Sequence, residues 1–308
     1  MNLLRSELVR FAARRAVVLL LLLGFVLALL AVGATLWNNR PITDAERAES
    51  TALAQQDVEA CQENPRRYVG SNNPARCDQL SQNLYVGRYV APFDQLAADL
   101  PQAIMGILGF TALLAGTTYV GAEFASGALS NTLLFWPNRL QVWLAKVVAV
   151  TVWTTLFAAV TIGLCLLAVA LVAETRSGGD PSQAQLLRMA GRGSRVLVVV
   201  VASAVLGAAL TTALRATIAT TGIVIGYLLV GETLLRAIAA TTVEPWLLSI
   251  RVLAFVRPVV RLEDYGDGFA AEPVVQVVPF WSSVVYLAVL SLVALTACAM
   301  VFHRRDVP

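Results

Sequence analysis

The sequence is poor in charge and in the side chains that most enzymes use for chemistry. Only 14% of its 308 residues are Asp, Glu, Lys or Arg, and it has one histidine, His303, and one lysine, Lys146. A single histidine near the C-terminus excludes by count any site built on several imidazoles, whether catalytic or metal-binding. No Walker A loop, G-x-S-x-G, H-E-x-x-H or G-x-G-x-x-G occurs anywhere, so no catalytic residue, metal site or directly bound cofactor is expected. Basic residues are scattered among acids rather than gathered in a stripe, which gives no sign of nucleic-acid binding.

What the chain has instead is apolar length. It is 57% hydrophobic, with a mean hydropathy of +0.70, outside the range of ordinary soluble domains. About 20 apolar residues cross a hydrocarbon core of roughly 30 Å as helix, and six such runs can be placed: 16–37, 102–121, 147–173, 196–214, 216–235 and 281–302. None alternates with period two as a barrel strand would, so helices must satisfy the backbone in lipid. The expected fold class is an all-α membrane protein with six transmembrane helices. The first run has features of a secretory signal, with Arg5, Arg10, Arg14 and Arg15 before it and small residues at Ala31–Ala34. Its apolar length exceeds the roughly 7–15 residues of a signal core, so it is read as a retained span.

Charge sets the expected orientation. With the N-terminus inside, the short inner segments carry Arg5, Arg10, Arg14, Arg15, Arg139, Lys146, Arg215, Arg304 and Arg305, nine of the 23 basic residues. The others fall in long loops, which translocate largely regardless of charge. Both termini are therefore expected in the cytoplasm.

The segments between the spans differ in character. Residues 1–15 place Leu4, Leu8 and Phe11 on one helical stripe beside arginines, as in an interfacial elbow helix; a basic leader that merely sets topology is the alternative. Residues 38–101 hold nine of the 20 acidic residues and read as an extracytoplasmic helical domain. Thr43 and Glu46 form a capping box ahead of an alanine-rich helix, and a short helix over Asp94–Leu100 leads to Pro101 and the second span. Cys61 and Cys77 lie in this domain. In an oxidising compartment they would close a loop worth about 3 kcal/mol; two free thiols are the other reading. Residues 174–195 read as an outer loop that only connects, 236–280 as an outer or re-entrant helical segment, and 303–308 as a cytoplasmic tail.

Two stretches hold candidate functional residues. Glu232 lies in the fifth run, roughly 24 Å across at 1.5 Å per residue, and Arg236 follows at i+4, so the two read as an ion pair near the outer interface rather than as a substrate or proton site. The cytoplasmic segment 122–146 belongs to the stretch GAEFASGALSNTLLFWPNRLQVWLAK. Its helix should stop before Pro137. Beyond it, Trp136 and Trp143 share a face, as do Arg139 and Lys146, an aromatic and basic pairing suited to the membrane interface. From the residues alone, interfacial anchoring and docking of a partner both remain open.

This stretch resembles the intracellular segment of bacterial ABC type-2 (ABC-2) transporter permeases. The resemblance rests on Glu123, Gly127, Leu129, Leu133, Leu134, Pro137, Arg139 and Lys146, with Ala128 where threonine is usual; the ending F-H-R-R-D-V is similar to the R-R-D that often follows that family's last span. It implies a permease subunit in a bacterial plasma (inner) membrane, paired with a second permease copy as homodimer or heterodimer and with a cytoplasmic ABC ATPase that supplies ATP hydrolysis. Glu123–Phe135 would be the coupling helix, with Glu123, Gly127, Leu133, Pro137 and Arg139 as ATPase-coupling residues and Arg215 and the elbow as secondary contacts. The implied activity is ATP-driven export of a hydrophobic or amphipathic compound, such as a drug, peptide or lipid-linked molecule. From a different class, a non-transport membrane protein whose outer domain senses or scaffolds also fits the composition; a co-purifying ABC ATPase separates the two.

Overall fold

A computed structural model of the chain describes residues 3–69, 77, 93–176, 182–257, 259–264 and 274–304. A short helix, α1 (Leu3–Ala13), precedes the first long helix, α2 (Arg15–Asn38). Two helices follow, α3 (Asp44–Glu63) and α4 (Pro65–Val69), then α5 (Phe93–Ala125), the short α6 (Ala128–Phe135), α7 (Arg139–Arg176) and α8 (Gln183–Leu214). The fifth apolar run folds as α9 (Thr217–Gly226), a π-helical turn at Tyr227–Gly231 and α10 (Glu232–Val243). A 3-10 turn, Glu244–Trp246, leads to α11 (Leu248–Val256), the strands β1 (Val259–Asp264) and β2 (Val274–Pro279), and α12 (Phe280–Arg304). Six helices are long and apolar enough to cross a membrane: Arg15–Asn38, Phe93–Ala125, Arg139–Ala173, Gln183–Leu214, Thr217–Ile238 and Phe280–Arg304. The chain is an all-α membrane protein.

The bundle is built on α5 and α8. In the apolar window of α5, 61% of residues are buried, against 6% in that of α12, so α5 is the hub and α12 a peripheral span. Small residues make this possible: a Cβ at Gly116 would meet the carbonyl oxygen of Ala204, and one at Gly207 the carbonyl oxygen of Leu113. Without a hydrophobic drive between helices in lipid, such close backbone approach supplies the packing. Helices α2 and α7 flank this pair, burying Val17, Ala28 and Val32 on one side and Val150, Ala158 and Ile162 on the other.

Several local expectations give way to the tertiary structure. Helix α5 does not stop before Pro101 but runs through it. Proline removes the N–H that would bond to the carbonyl four residues back, and Arg192 of α8 donates to that carbonyl, on Ala97, at 3.0 Å. The region 174–195 is more than a connection, because α8 begins at Gln183 behind a Ser182–Gln185 capping box. Within 236–280 the second half is not helical. β1 and β2 pair antiparallel, from Val259 opposite Pro279 to Asp264 opposite Val274, as their β-branched content favours. The ribbon packs Val260 and Val278 against Leu247, Ile250 and Ala254 around α11. Of the segment 38–101, residues 70–76 and 78–92 lie outside the described residues, as do 177–181, 265–273 and the basic ending from Arg305.

The thiols of Cys61 and Cys77 are joined, with Cα atoms 5.8 Å apart, and both residues are buried. Thr43 and Glu46 form a reciprocal cap at the start of α3.

Candidate functional site

At the end of the bundle where α1, α6 and the turn between α8 and α9 gather, charged groups meet inside the protein. Arg14 has an extended backbone, ψ 108°, which ends α1 and lets α2 leave in a new direction. Helix α1 is thereby folded against α7. Its Phe11 ring sits 5.0 Å from that of Tyr119 on α5, and Glu7, one turn earlier on the same face, is carried inside with it and has no exposed surface.

Glu7 receives three donors. Lys146 Nζ of α7 lies 2.8 Å from Glu7 Oε2, Tyr119 donates its hydroxyl to the same oxygen, and Arg10 NH1 donates to Oε1 at 3.1 Å. Lys146 also donates to Glu123 Oε2 in the last turn of α5, so the only lysine of the chain bridges two buried carboxylates. The other oxygen, Glu123 Oε1, lies 3.2 Å from Arg14 NH2 but has no aligned hydrogen bond. The Arg14 guanidinium and the Lys146 ammonium stand 5.4 and 5.5 Å from the centroid of the Tyr119 ring. Buried ions are costly unless paired and hydrogen-bonded; here two carboxylates face Lys146, Arg10 and Arg14, and the two arginines keep partial access to solvent. Arg10 extends the hub to α6 through Thr132 Oγ1 at 3.1 Å. Three elements, α1, α5 and α7, are thus tied by ions, and α6 is joined to them by a hydrogen bond from a charged donor.

On this hub rests α6. Gly127 takes φ 67° at its N-cap, a left-handed backbone that costs glycine least and that turns the chain sharply out of α5. The helix buries Leu129 and Thr132 and packs with Val142, Trp143, Cys298 and Phe302. Its last turn faces outward: Leu134 is 80% and Phe135 83% exposed, with Trp136 and Leu140 exposed beside them. These residues form an apolar ridge at the corner between two long helices. The Asn138 side chain accepts from the amide of Gln141 at 3.3 Å as α7 restarts.

The residues singled out from the sequence are distributed unevenly over this site. Gly127 shapes the corner, Leu133 is half-buried against the cluster under α6, Pro137 is exposed in the corner, and Arg139 opens α7 half-buried. Arg215 adopts φ 57° as the C-cap of α8, and the turn it makes brings Thr217 against Gly121 of α5, at the same end. Glu123, expected from the resemblance to meet an ATPase, does not face outward: it is 1% exposed and held by Lys146. Lys146 and Trp143 likewise face the interior rather than a headgroup layer, because α1 and α6 cover them.

Glu232 and Arg236 do not pair with each other. Glu232 is buried and accepts from the Ser249 amide at 3.0 Å, within the first turn of α11. Free N–H groups and the positive end of a helix hold a carboxylate there. Arg236 turns to Ser249 Oγ at 3.2 Å and to Glu244 at 3.8 Å.

Glu7, Arg14 and Tyr119 were not marked by any motif. Glu7 carried one signal, as the sole acid among the first 15 residues, but only the fold of α1 onto α7 shows that it is buried.

Among the described residues, no three His, Cys, Asp or Glu side chains gather in a metal-binding group. The sequence profile of the family described as "ABC-2 family transporter protein" matches residues 1–307. No curated protein matches the chain.

Proposed function

The chain belongs to the ABC-2 family of transporter proteins, and on that premise we propose that it is the permease subunit of an ATP-driven exporter whose ATPase is a separate cytoplasmic chain. The observation that carries this reading is the exposed Leu134–Phe135 ridge on α6, a short helix between two membrane-spanning helices that is hydrogen-bonded through Thr132 to Arg10 of the ion cluster. An apolar ridge at a water-facing corner matches the surface a protein partner would cover. The ion hub below it gives the ridge a stiff connection to α1, α5 and α7, so that a push on α6 moves span helices and not only the loop. Gly127, Leu133, Pro137 and Arg139 belong to α6 and the corner that follows it, Arg215 shapes the turn between α8 and α9 as a secondary contact, and Glu123 acts from beneath, as a fastening.

In this reading the ionic end faces the cytoplasm of a bacterium, in keeping with Arg5, Arg10, Arg14 and Arg15 near the start of α2, and the Cys61–Cys77 bridge stands on the oxidising side. Two permease copies, identical or not, work with two ATPase subunits. The cargo is hydrophobic or amphipathic, such as a drug, peptide or lipid-linked molecule. Coupling requires that the ATPase bind two permease states with different affinity.

The test is to purify the full-length chain with the ABC ATPase encoded beside it, reconstitute both in nanodiscs, and compare ATP turnover of wild type with that of Phe135→Ser. The expected result is stable co-purification with the wild-type chain and loss of coupled turnover in the variant. Equal association and turnover in both would refute the docking surface.

A further inference from the structure

At the opposite end of α12 from the ion hub, a groove of about 710 Å³ opens between α11 and the first half of α12. Trp246, Arg251, Trp281, Tyr286, Val289 and Val293 are among its lining residues. The wall is mostly apolar, and Arg251 is the one charged side chain in it. This side chain is 6% exposed, and its guanidinium carbon lies 4.9 Å from the ring centroid of Trp246 and 5.2 Å from that of Tyr286. Its NH1 donates to a neutral acceptor, Ser282 Oγ, at 2.9 Å, while its buried Nε has no hydrogen-bond acceptor.

Among the described residues no carboxylate lies within ion-pair distance of Arg251, whereas nearby Arg236 has Glu244 and Arg257 has Asp99. The two rings offset part of the cost of burying a cation. An anion is what the site still lacks, since a buried guanidinium without one is expensive and its fork suits phosphate oxygens.

The rest of the groove has the dimensions of a lipid chain. Val285, Val289 and Val293 recur every four residues on α12 and are all exposed. From Trp281 to Val293 the helix rises roughly 18 Å, slightly more than half of the roughly 30 Å hydrocarbon core, which is the depth of one leaflet. Trp246, Trp281 and Tyr286 mark the headgroup level, where aromatic rings concentrate. We propose that the groove binds one membrane amphiphile with an anionic phosphate headgroup, the phosphate on Arg251 and an acyl chain along Val285, Val289 and Val293. No ATPase takes part, so the proposal stands or falls apart from the coupling reading.

The test is native mass spectrometry of the full-length chain released from detergent micelles, titrated with phosphatidylglycerol, with diacylglycerol of the same chains, and with glycerol phosphate. Wild type should retain phosphatidylglycerol at least tenfold better than either of the others. Arg251→Gln should lose that preference and Arg251→Lys should keep part of it. Val289→Trp, an exposed position that leaves Arg251 and its partners intact, should block the lipid while the melting temperature holds. Equal phosphatidylglycerol retention by wild type, Arg251→Gln and Val289→Trp overturns the proposal. So does retention of glycerol phosphate as strong as that of the lipid, which would mean a soluble-phosphate site. Cross-linking of two copies through Val289→Cys in native membranes would put a second chain in the groove and equally overturn it.

Discussion

Lys146 Nζ lies 2.8 Å from Glu7 Oε2, across 139 residues of sequence, with both side chains buried. This contact fastens α1 to α7, and Glu123 on α5 shares the same ammonium. Removing one member of a buried ionic cluster leaves the others charged without compensation, which typically costs about 3–5 kcal/mol.

Lys146→Met should therefore lower the apparent melting temperature of the detergent-purified chain markedly. Adding Glu7→Gln and Glu123→Gln to the same chain should recover most of the loss, because the carboxylates left behind are then neutral. A triple variant no more stable than Lys146→Met would show that the lysine acts by packing rather than by charge.

Leu134→Ser with Phe135→Ser should leave the melting temperature nearly unchanged, since both side chains already face outward. Association with the ATPase should fall by somewhat more than about a hundredfold, as two apolar side chains contribute on the order of 1.5 kcal/mol each when covered. Surface-immobilised permease and purified ATPase would give the ratio. Undiminished binding would assign the ridge to the membrane interface.

Two glycines should respond differently. Gly116→Ala pushes a methyl against the backbone carbonyl of Ala204 and should destabilise the chain by about 1–3 kcal/mol through overpacking. Gly222→Ala meets nothing within 4 Å and should leave the unfolding temperature of the single chain as it was. Similar shifts for the two would mean that α5 and α8 are not packed through Gly116.

Denatured without reductant, the chain should take up alkylating reagent on two thiols, Cys165 and Cys298, and after reduction on four. Cys61→Ser with Cys77→Ser should cost up to about 3 kcal/mol, the chain-entropy value for a loop of this size. Intact mass after labelling reads the first outcome and thermal unfolding the second; four modified thiols before reduction would show the pair unjoined.

Orientation has a direct check. In a chain without other accessible thiols, Gln56→Cys on α3 should react with an impermeant maleimide added outside cells, and Asn131→Cys on α6 only after the membrane is opened. Both positions are exposed in the fold. The reverse pattern would invert the topology.

Much of the architecture was legible in one dimension. Six apolar runs of spanning length fall where the six long helices lie, because the cost of unsatisfied backbone in hydrocarbon leaves the chain little choice. The stop before Pro137 and the cap at Thr43 were legible for the same kind of local reason: a proline and a hydroxyl act on neighbours within a turn. The two strands from Val259 and from Val274 are rich in valine, a β-branched residue, but the apolar context invited a helical reading of the whole segment.

The candidate site was less legible, since burial of a charge depends on what folds over it. Glu123 and Lys146 stood in a recognisable stretch, yet nothing in their spacing says that α1 returns 139 residues of sequence to supply Glu7. Glu232 and Arg236 are ideally spaced for a local pair, and the free amides at the start of α11 took the carboxylate instead. Arg251 is one arginine among several in an interrupted apolar stretch until Trp246 and Tyr286 close around it. Sequence by itself determined the spans and the turns between them, through interactions that reach only a few residues. Which charges are buried, and which apolar side chains stay outside, was decided by the tertiary structure alone, because desolvation and ion pairing depend on neighbours in space.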